Sequence, residues 1–404
     1  MEGHEVSNPH IIGLTGSFGS GCSYIAQHIL EPRGYSKLCL SDILRSVYRE
    51  KSGDTSINIP RRVLQDFGDS LRRENGPDSL ARQAQKHIRD RPNGAPPGKW
   101  VIDSIRNPAE VRAFRDFSRG FFLFGVHAEK EIRWGRVRGK YDNNRVAFEE
   151  DDKNDTGEDS DLHGQRVRDC FSEADVVLAN NEDFKVVGNK DFGSLEGRIG
   201  EYAELVAKPL AKKQPLREEE ALMAMAYAAG QRSSCMKRKV GAIIVDGQGN
   251  VISSGFNEVP MHEMPCADVY RTCHREKLRE DVLSSLKDKG LVVTGRDEEL
   301  KQEFRRQFRM LDYCRALHAE ENAILNLARN GRAVPLHECC LYTTTYPCRQ
   351  CANKIANIGI ERIVYLEPYP DQEAKVILKT AGVSDELFEG VTFKAYFRIY
   401  GEEK

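Results

Sequence analysis

No run of apolar residues in this 404-residue chain approaches the roughly 18 that a membrane-spanning helix requires. Positive charge is not in surplus either, since 60 Lys and Arg stand against 62 Asp and Glu for a formal net charge of -2. A protein that holds a nucleic-acid strand needs a basic groove with stacking aromatics, which a near-neutral chain does not show, so nucleic acid is not expected as substrate. Residues 1–10 lack the basic-then-apolar order of an export signal, and a cytoplasmic protein without a membrane partner is expected. No internal repeat or low-complexity array is present. The cysteine count, 11, is odd, and the residues are scattered, which argues against a disulfide framework and for metal ligation and buried thiols. What the chain does have is length: more than one hydrophobic core usually organises, so two domains are expected, with a hydrophobic fraction of 40% typical of globular proteins.

Short apolar runs alternate with helical stretches from Ile11 onward: Ile11 to Thr15, Lys37 to Leu40, Trp100 to Asp103, Phe121 to Val126 and Asp175 to Ala179. Such alternation predicts a parallel sheet with crossover helices. Glu149 to Asp161 is acidic and nearly free of apolar residues, and reads as a solvated, mobile loop or lid. Pro209 and Pro215 bracket a basic segment that cannot continue a helix, which places a boundary there and gives domains of 1–210 and 216–404. Beyond it come an Ala/Met-rich helix (Glu218 to Ala229), a hairpin (Val240 to Val245, Val251 to Ser254), a polar insertion to about Phe308, and then helix, strand, helix and strand in turn.

Two segments of the second half carry chemistry. His318-Ala319-Glu320 precedes the helical pattern Glu321 to Leu327, and Pro347-Cys348-Arg349-Gln350-Cys351 opens another helix after the strand Leu341 to Thr344. One imidazole and two thiolates fill three tetrahedral positions around zinc, and the fourth is left for a water whose pKa falls to about 7. Glu320 stands two residues from His318, within reach of that water as a proton shuttle and not as a ligand. The bland alternative is a structural zinc knuckle closed by a fourth side chain. Such a site has no use for a Glu beside its His.

The pairing of His-x-Glu with Pro-Cys-x-x-Cys is a zinc-deaminase signature. Together with Lys239 to Val245, Gly255-Phe256-Asn257-Glu258-Val259-Pro260, and His318 to Ile324, it resembles the deoxycytidylate deaminase family over most of Arg217 to the C-terminus. The resemblance implies that His318, Cys348 and Cys351 hold zinc, that Glu320 is the catalytic proton shuttle, and that Asn257 contacts the nucleotide sugar. Tyr369 would approach the sugar or phosphate. It also suggests a second, structural zinc at Cys314 with His262, Cys266, Cys273 and His274. Their irregular spacing fits equally well with small buried thiols, and both readings stand.

Gly16-Ser17-Phe18-Gly19-Ser20-Gly21-Cys22-Ser23 follows the first strand and precedes a helix, the pattern of a phosphate-binding P-loop except that Cys22 stands where lysine belongs. The glycines let backbone N–H groups surround a phosphate, and Ser23 could coordinate Mg2+ carried by the nucleotide. Without the lysine, phosphate binding is expected to survive and efficient phosphoryl transfer is not. Ser41-Asp42, the strand ending at Asp103, and Arg133, Arg136 and Arg138 resemble a nucleoside monophosphate kinase. The fold expected is therefore α/β: an N-terminal P-loop kinase-like parallel sheet with crossover helices, then a C-terminal cytidine-deaminase-like α/β/α sandwich. That architecture resembles bacterial anti-phage deoxycytidine nucleotide deaminases. It implies a free dCTP or dCMP substrate, a regulatory nucleotide at the P-loop domain, and homo-oligomers. Two other classes compete, a nucleotide-sensing switch with a passive zinc module and a bifunctional kinase-deaminase. Glu320 counts against the first and Cys22 against the second.

Overall fold

In the computed structural model of the protein, the first apolar run forms strand β1 (His10–Thr15), whose Ile11, Ile12 and Leu14 are fully buried. The structure describes residues 9–54, 56, 59–90, 98–156, 165–182, 194–208, 215–291, 295, 300, 313–331, 334–368 and 372–401. They divide into two compact units, Met1–Pro215 with Glu389–Lys404, and Leu216–Phe388.

In the first unit β1 lies at the centre of a parallel sheet ordered β2 (Tyr35–Cys39), β3 (Lys99–Asp103), β1, β4 (Phe121–His127), β5 (Val176–Ala179). Helices cover both faces, which is why the inner strands β1, β3 and β4 are largely apolar and buried, whereas the edge strand β2 carries Ser36 and Lys37 and is mostly half-buried. Ile12 and Leu14 join Phe122, Phe124 and Leu178 in one cluster, while Ile11 joins Ile102, Phe121 and Leu123 in the other. Ligands of such open sheets bind outside the carboxyl ends of the strands, where the loop Gly16–Gly21 follows β1.

Two expectations are corrected here. The acidic stretch is helical over Arg145–Thr156, and its acids are used: Asp152 pairs with the buried Arg133 at 2.5 Å, and Asp151 with Arg61 at 3.2 Å. Among the helix residues whose burial is described, only Phe148, 1% exposed, is buried, too little to leave an apolar period in the sequence. The remainder of the stretch and the Pro209 side of the expected boundary lie outside the described residues. Second, residues 389–404 belong to the first unit and not to the second. A short strand, Gly390–Val391, pairs antiparallel with β5, and Ala395 and Ile399 of the helix Phe393–Ile399 are buried in the same cluster as Ile12. Without it β5 would expose an unpaired sheet edge.

The second unit carries a mixed sheet ordered β10 (Ser384–Leu387), β9 (Arg362–Glu367), β8 (Cys340–Thr345), β6 (Gly241–Val245), β7 (Val251–Phe256). β6 runs antiparallel to β7 and β8, and β8, β9 and β10 are parallel to one another. Alternate residues of β6 serve opposite faces. Ala242 and Ile244 pack with Ala319, Ala323 and Ile355 of two helices, Ala319–Arg329 and Arg349–Ile358, while Gly241 faces the helix Glu218–Gly230 so closely that a Cβ would lie 1.9 Å from the Ala226 carbonyl. The result is three layers, helices on both sides of a sheet. Among the described residues no helix is long and apolar enough to cross a membrane.

Candidate active site

His318 and Cys348 each occupy an N-cap, the residue immediately before the helices Ala319–Arg329 and Arg349–Ile358. Both have extended backbone, and the Glu321 carboxylate accepts from the His318 N–H at 3.3 Å. Helix starts at the edge of one sheet thus bring together residues 30 apart in sequence. The Sγ atoms of Cys348 and Cys351 each lie 3.3 Å from His318 Nδ1, and one ligand atom of each residue lies within 4.8 Å of the others. Tetrahedral zinc with bonds of about 2.3 Å to sulfur and about 2.0 Å to nitrogen separates those atoms by about 3.5 Å. The donor set fits the ion in both chemistry and spacing.

Glu320 is 3% exposed beside this cluster, with Oε2 3.6 Å from Cys351 Sγ and Oε1 accepting from Thr343 Oγ1 at 3.5 Å. Burial raises its carboxyl above the ordinary range. A hydrogen bond from Cys351, with His318 alongside, holds the Cys348 thiol down to about 4, and the same bond pushes the Cys351 thiol up. His318 is raised in turn by its hydrogen bond with Cys348.

Asn257, expected to contact the nucleotide sugar, is held by backbone groups on one side of its amide. Its Oδ1 accepts from the Val240 N–H at 2.8 Å and its Nδ2 donates to the Arg238 carbonyl at 2.9 Å, so the amide clips the segment leading into β6. One amide hydrogen and one lone pair of the side chain remain for other partners. Tyr369 lies outside the described residues. Cys266, Cys273, His274 and Cys314 line one cavity of about 30 Å³, and Cys235 joins them from the stretch before β6, while His262 does not line it. Cys235 was missed in the sequence because nothing local links it to the insertion. Among the described residues only His318, Cys348 and Cys351 bring three ligand atoms within 4.8 Å.

These features lie in a region that other proteins share. The profile of the cytidine and deoxycytidylate deaminase zinc-binding region matches residues 216–367. The deoxycytidylate deaminase of Enterobacteria phage T4 is 32% identical over 167 residues, covering 40% of this chain and 85% of the phage protein. The chain belongs to the deoxycytidylate deaminase family. Another deoxycytidylate deaminase, from Mycobacterium phage D29, is 35% identical over 147 residues, 36% of this chain and 92% of the phage protein. Among solved structures, the dCMP deaminase of cyanophage S-TIM5 in complex with dCMP and dUMP is 22% identical, spans 43% of this chain and 100% of its own, and superposes with a TM-score of 0.28.

The glycine loop of the first unit is built as a turn at the end of β1. Gly19 and Gly21 have φ of 87° and 101°, and a Cβ on Gly16 would lie 2.2 Å from the Val126 carbonyl. Ser23 Oγ donates to Asp103 Oδ2 at 2.6 Å. Cys22 offers no charge: burial, then Asp103, pushes its thiol up to about 12. Two of the three arginines expected to resemble a kinase's, Arg133 and Arg136, are committed to the protein. Arg133 donates to the carbonyls of Phe18 and Ala128 as well as to Asp152, and Arg136 to Gly19 O, Asn180 and Glu182 O. Arg138 is exposed on the surface. Asp42 pairs with Arg45, and Ser41 Oγ lies 3.1 Å from Cys39 Sγ.

Proposed function

We propose that the second unit hydrolytically deaminates the cytosine ring of a free deoxycytidine nucleotide, dCMP or dCTP, to the uracil product and ammonia. The observation that carries this reading is the convergence of His318, Cys348 and Cys351 with the buried Glu320 3.6 Å from Cys351. His318, Cys348 and Cys351 would hold zinc, which when bound makes a water acidic enough to serve as hydroxide at neutral pH. Glu320 would take one proton from the attacking water and give it to the ring nitrogen, then take the second from the same oxygen after it has added to the ring and give it to the departing amine, which leaves as ammonia. Its burial suits this work, since desolvation raises the carboxyl and makes it a better proton acceptor than an exposed glutamate. Asn257, on the loop after β7, keeps a donor and an acceptor in reserve for the sugar.

In the first unit, the glycine loop binds a nucleotide that regulates the deaminase without efficient phosphoryl transfer. Cys22 brings no charge to the transferring group, and Arg133 and Arg136 are held by backbone carbonyls and by Asp152. Ser23 and Asp103 are the residues that would hold Mg2+ with such a nucleotide, and Asp103 Oδ1, buried, has no hydrogen-bond partner. Depletion of dCTP as a defence against phage is the biological role this pairing of units suggests. The test is to incubate the zinc-loaded protein with dCMP and with dCTP and to resolve the products by chromatography. Formation of dUMP or dUTP with equimolar ammonia is expected. Failure with both nucleotides would dismiss the reading.

A further inference from the structure

Cys22 leaves the loop Gly16–Ser23 without a side-chain cation of its own, and backbone N–H groups alone balance a phosphate's charge poorly. The cations that meet the loop come from other elements. Arg133 and Arg136 donate to the Phe18 and Gly19 carbonyls, and Arg133 is also paired with Asp152, so both serve the loop's backbone. Arg61 and Lys140 meet the Phe18 ring instead. The Arg61 guanidinium carbon lies 4.0 Å from the ring centroid and the Lys140 Nζ 5.5 Å from it. Lys140 is exposed, whereas the Arg61 side chain is only 24% exposed and belongs to a closed circuit of contacts. Arg61 pairs with Asp151 at 3.2 Å, Asp151 accepts from the Tyr141 hydroxyl at 2.8 Å, and the Tyr141 ring meets Phe18 edge-on at 6.0 Å. The circuit joins the glycine loop to the helix Arg61–Asn75, the turn Arg138–Tyr141 and the helix Arg145–Thr156. Arg61 is the first residue of its helix, whose first turn holds no acid. A cation there opposes the helix dipole, which favours an anion at that end. Guanidinium and helix start both draw negative charge, and the group that answers in the structure is the Asp151 carboxylate. At the far end of the loop Asp103, 1% exposed, accepts from Ser23 through Oδ2 and leaves Oδ1 without a hydrogen-bond partner, a buried acceptor suited to a cation that travels with phosphate.

We propose that Arg61 is the cation that grips the phosphates of a nucleoside triphosphate in the loop Gly16–Ser23, and that Asp151 stands in for phosphate on Arg61 until the nucleotide arrives. The proposal rests on the reading that this loop binds a nucleotide. A guanidinium stays charged at any physiological pH, and its paired donors match two phosphate oxygens as well as they match a carboxylate. A polyphosphate carries more charge than one carboxylate, so it displaces Asp151 from Arg61. The contact with Phe18 keeps the guanidinium at the loop while its anion changes. Asp151 and the nucleotide then compete for one cation, and that competition distinguishes the arrangement from an ion pair that only braces the fold.

The experiment measures binding of ATP and of GTP, each with Mg2+, by titration calorimetry on the full-length protein. Neither is a cytosine nucleotide, so deamination does not mask the binding heat. The variants are Arg61→Gln, Asp151→Asn, the two combined, and Lys140→Met, with thermal melting of each to report its fold. Arg61→Gln and Asp151→Asn break the same ion pair, so a pair that only braces the fold gives similar losses of melting temperature and affinity changes of one sign. Competition gives opposite signs. Arg61→Gln is expected to weaken triphosphate binding about 10- to 100-fold, and Asp151→Asn to tighten it about 2- to 10-fold. In the combined variant the Asn brings no gain, because the cation it frees is gone. Weaker binding in Asp151→Asn, or unchanged affinity in Arg61→Gln, would overturn the proposal, and a loss confined to Lys140→Met would move the role to Lys140. A different result separates the parent reading: if wild type binds neither triphosphate, the nucleotide assignment of the loop falls, and the role of Arg61 with it.

Discussion

At the scale of single residues the site is carried by few atoms, and Glu320 is the one whose chemistry cannot be replaced by shape. Its carboxylate lies among Cys351 and Thr343 with almost no solvent, so an isosteric amide fits the space and keeps a contact to each while losing proton transfer. Glu320→Gln is expected to lower kcat on the order of two to four powers of ten and to leave zinc content and melting temperature near wild type. Metal analysis beside steady-state rates checks both halves, and near-normal turnover in the loaded variant would remove Glu320 from the mechanism. The His318, Cys348 and Cys351 set was legible in the sequence because ligand type, spacing and helix starts are local properties. Asn257 was less legible. Its two backbone partners, at Val240 and Arg238, lie across a hairpin, and no local pattern announces that its amide is already half used.

Elements, more than residues, decide whether the three ligands meet. The helix that begins at Ala319 presses on β7 at Gly255, where a Cβ would lie 2.3 Å from both the Ala319 carbonyl and the Ala323 N–H. No side chain can enter without moving that helix, and His318 and Glu320 ride on its first turn. Gly255→Ala is therefore expected to cost about 1–3 kcal/mol of stability and to reduce kcat through displaced ligands. Denaturant melts and rates at saturating substrate measure the two effects, and a variant as stable and active as wild type would show that the close approach does not position the site. Elements were readable where burial was two-sided. The strands β1, β3, β4 and β5 announce themselves as apolar runs, whereas β10, Ser384–Leu387, is a polar edge strand with nothing but its neighbour β9 to define it. The helix Arg145–Thr156 escaped for a related reason, since ion pairs to Arg133 and Arg61 take the place of an apolar face.

For the whole molecule, the return of the chain matters most. Because residues 389–404 rejoin the first unit, the second is an insertion with two covalent connections, one near Pro215 and one at Phe388–Glu389. No composition shift marks that return, since the segment's partners are some 218 residues earlier in sequence. β5 links its place in the sheet to the glycine loop. Just beyond one end of the strand, Asn180 Nδ2 donates to the Ser20 carbonyl at 2.7 Å. Just before the other, the Asp175 carbonyl accepts from Thr392 N–H at 2.9 Å, and the Asp175 carboxylate faces Arg115 and Arg398. Four residues before Thr392 stands Phe388, fully buried at the end of the second unit, with its N–H bonded to the Tyr365 carbonyl on β9. If the glycine loop binds a regulatory nucleotide as proposed, β5 is the hydrogen-bonded strand through which it would act on the second connection, and a coupling of about 1–3 kcal/mol would suffice to regulate. Ending the chain after Thr392 removes Ala395, Ile399 and Arg398 but leaves the strand Gly390–Val391 in place. The first unit is then expected to lose about 2–5 kcal/mol of stability through the emptied core, deamination of saturating dCMP to change little, and its response to added ATP to disappear. Deamination rates across an ATP titration, in full-length and shortened protein, give the answer. A shortened protein that still binds ATP and responds to it as fully as wild type would show that regulation does not pass through β5 and the returning segment.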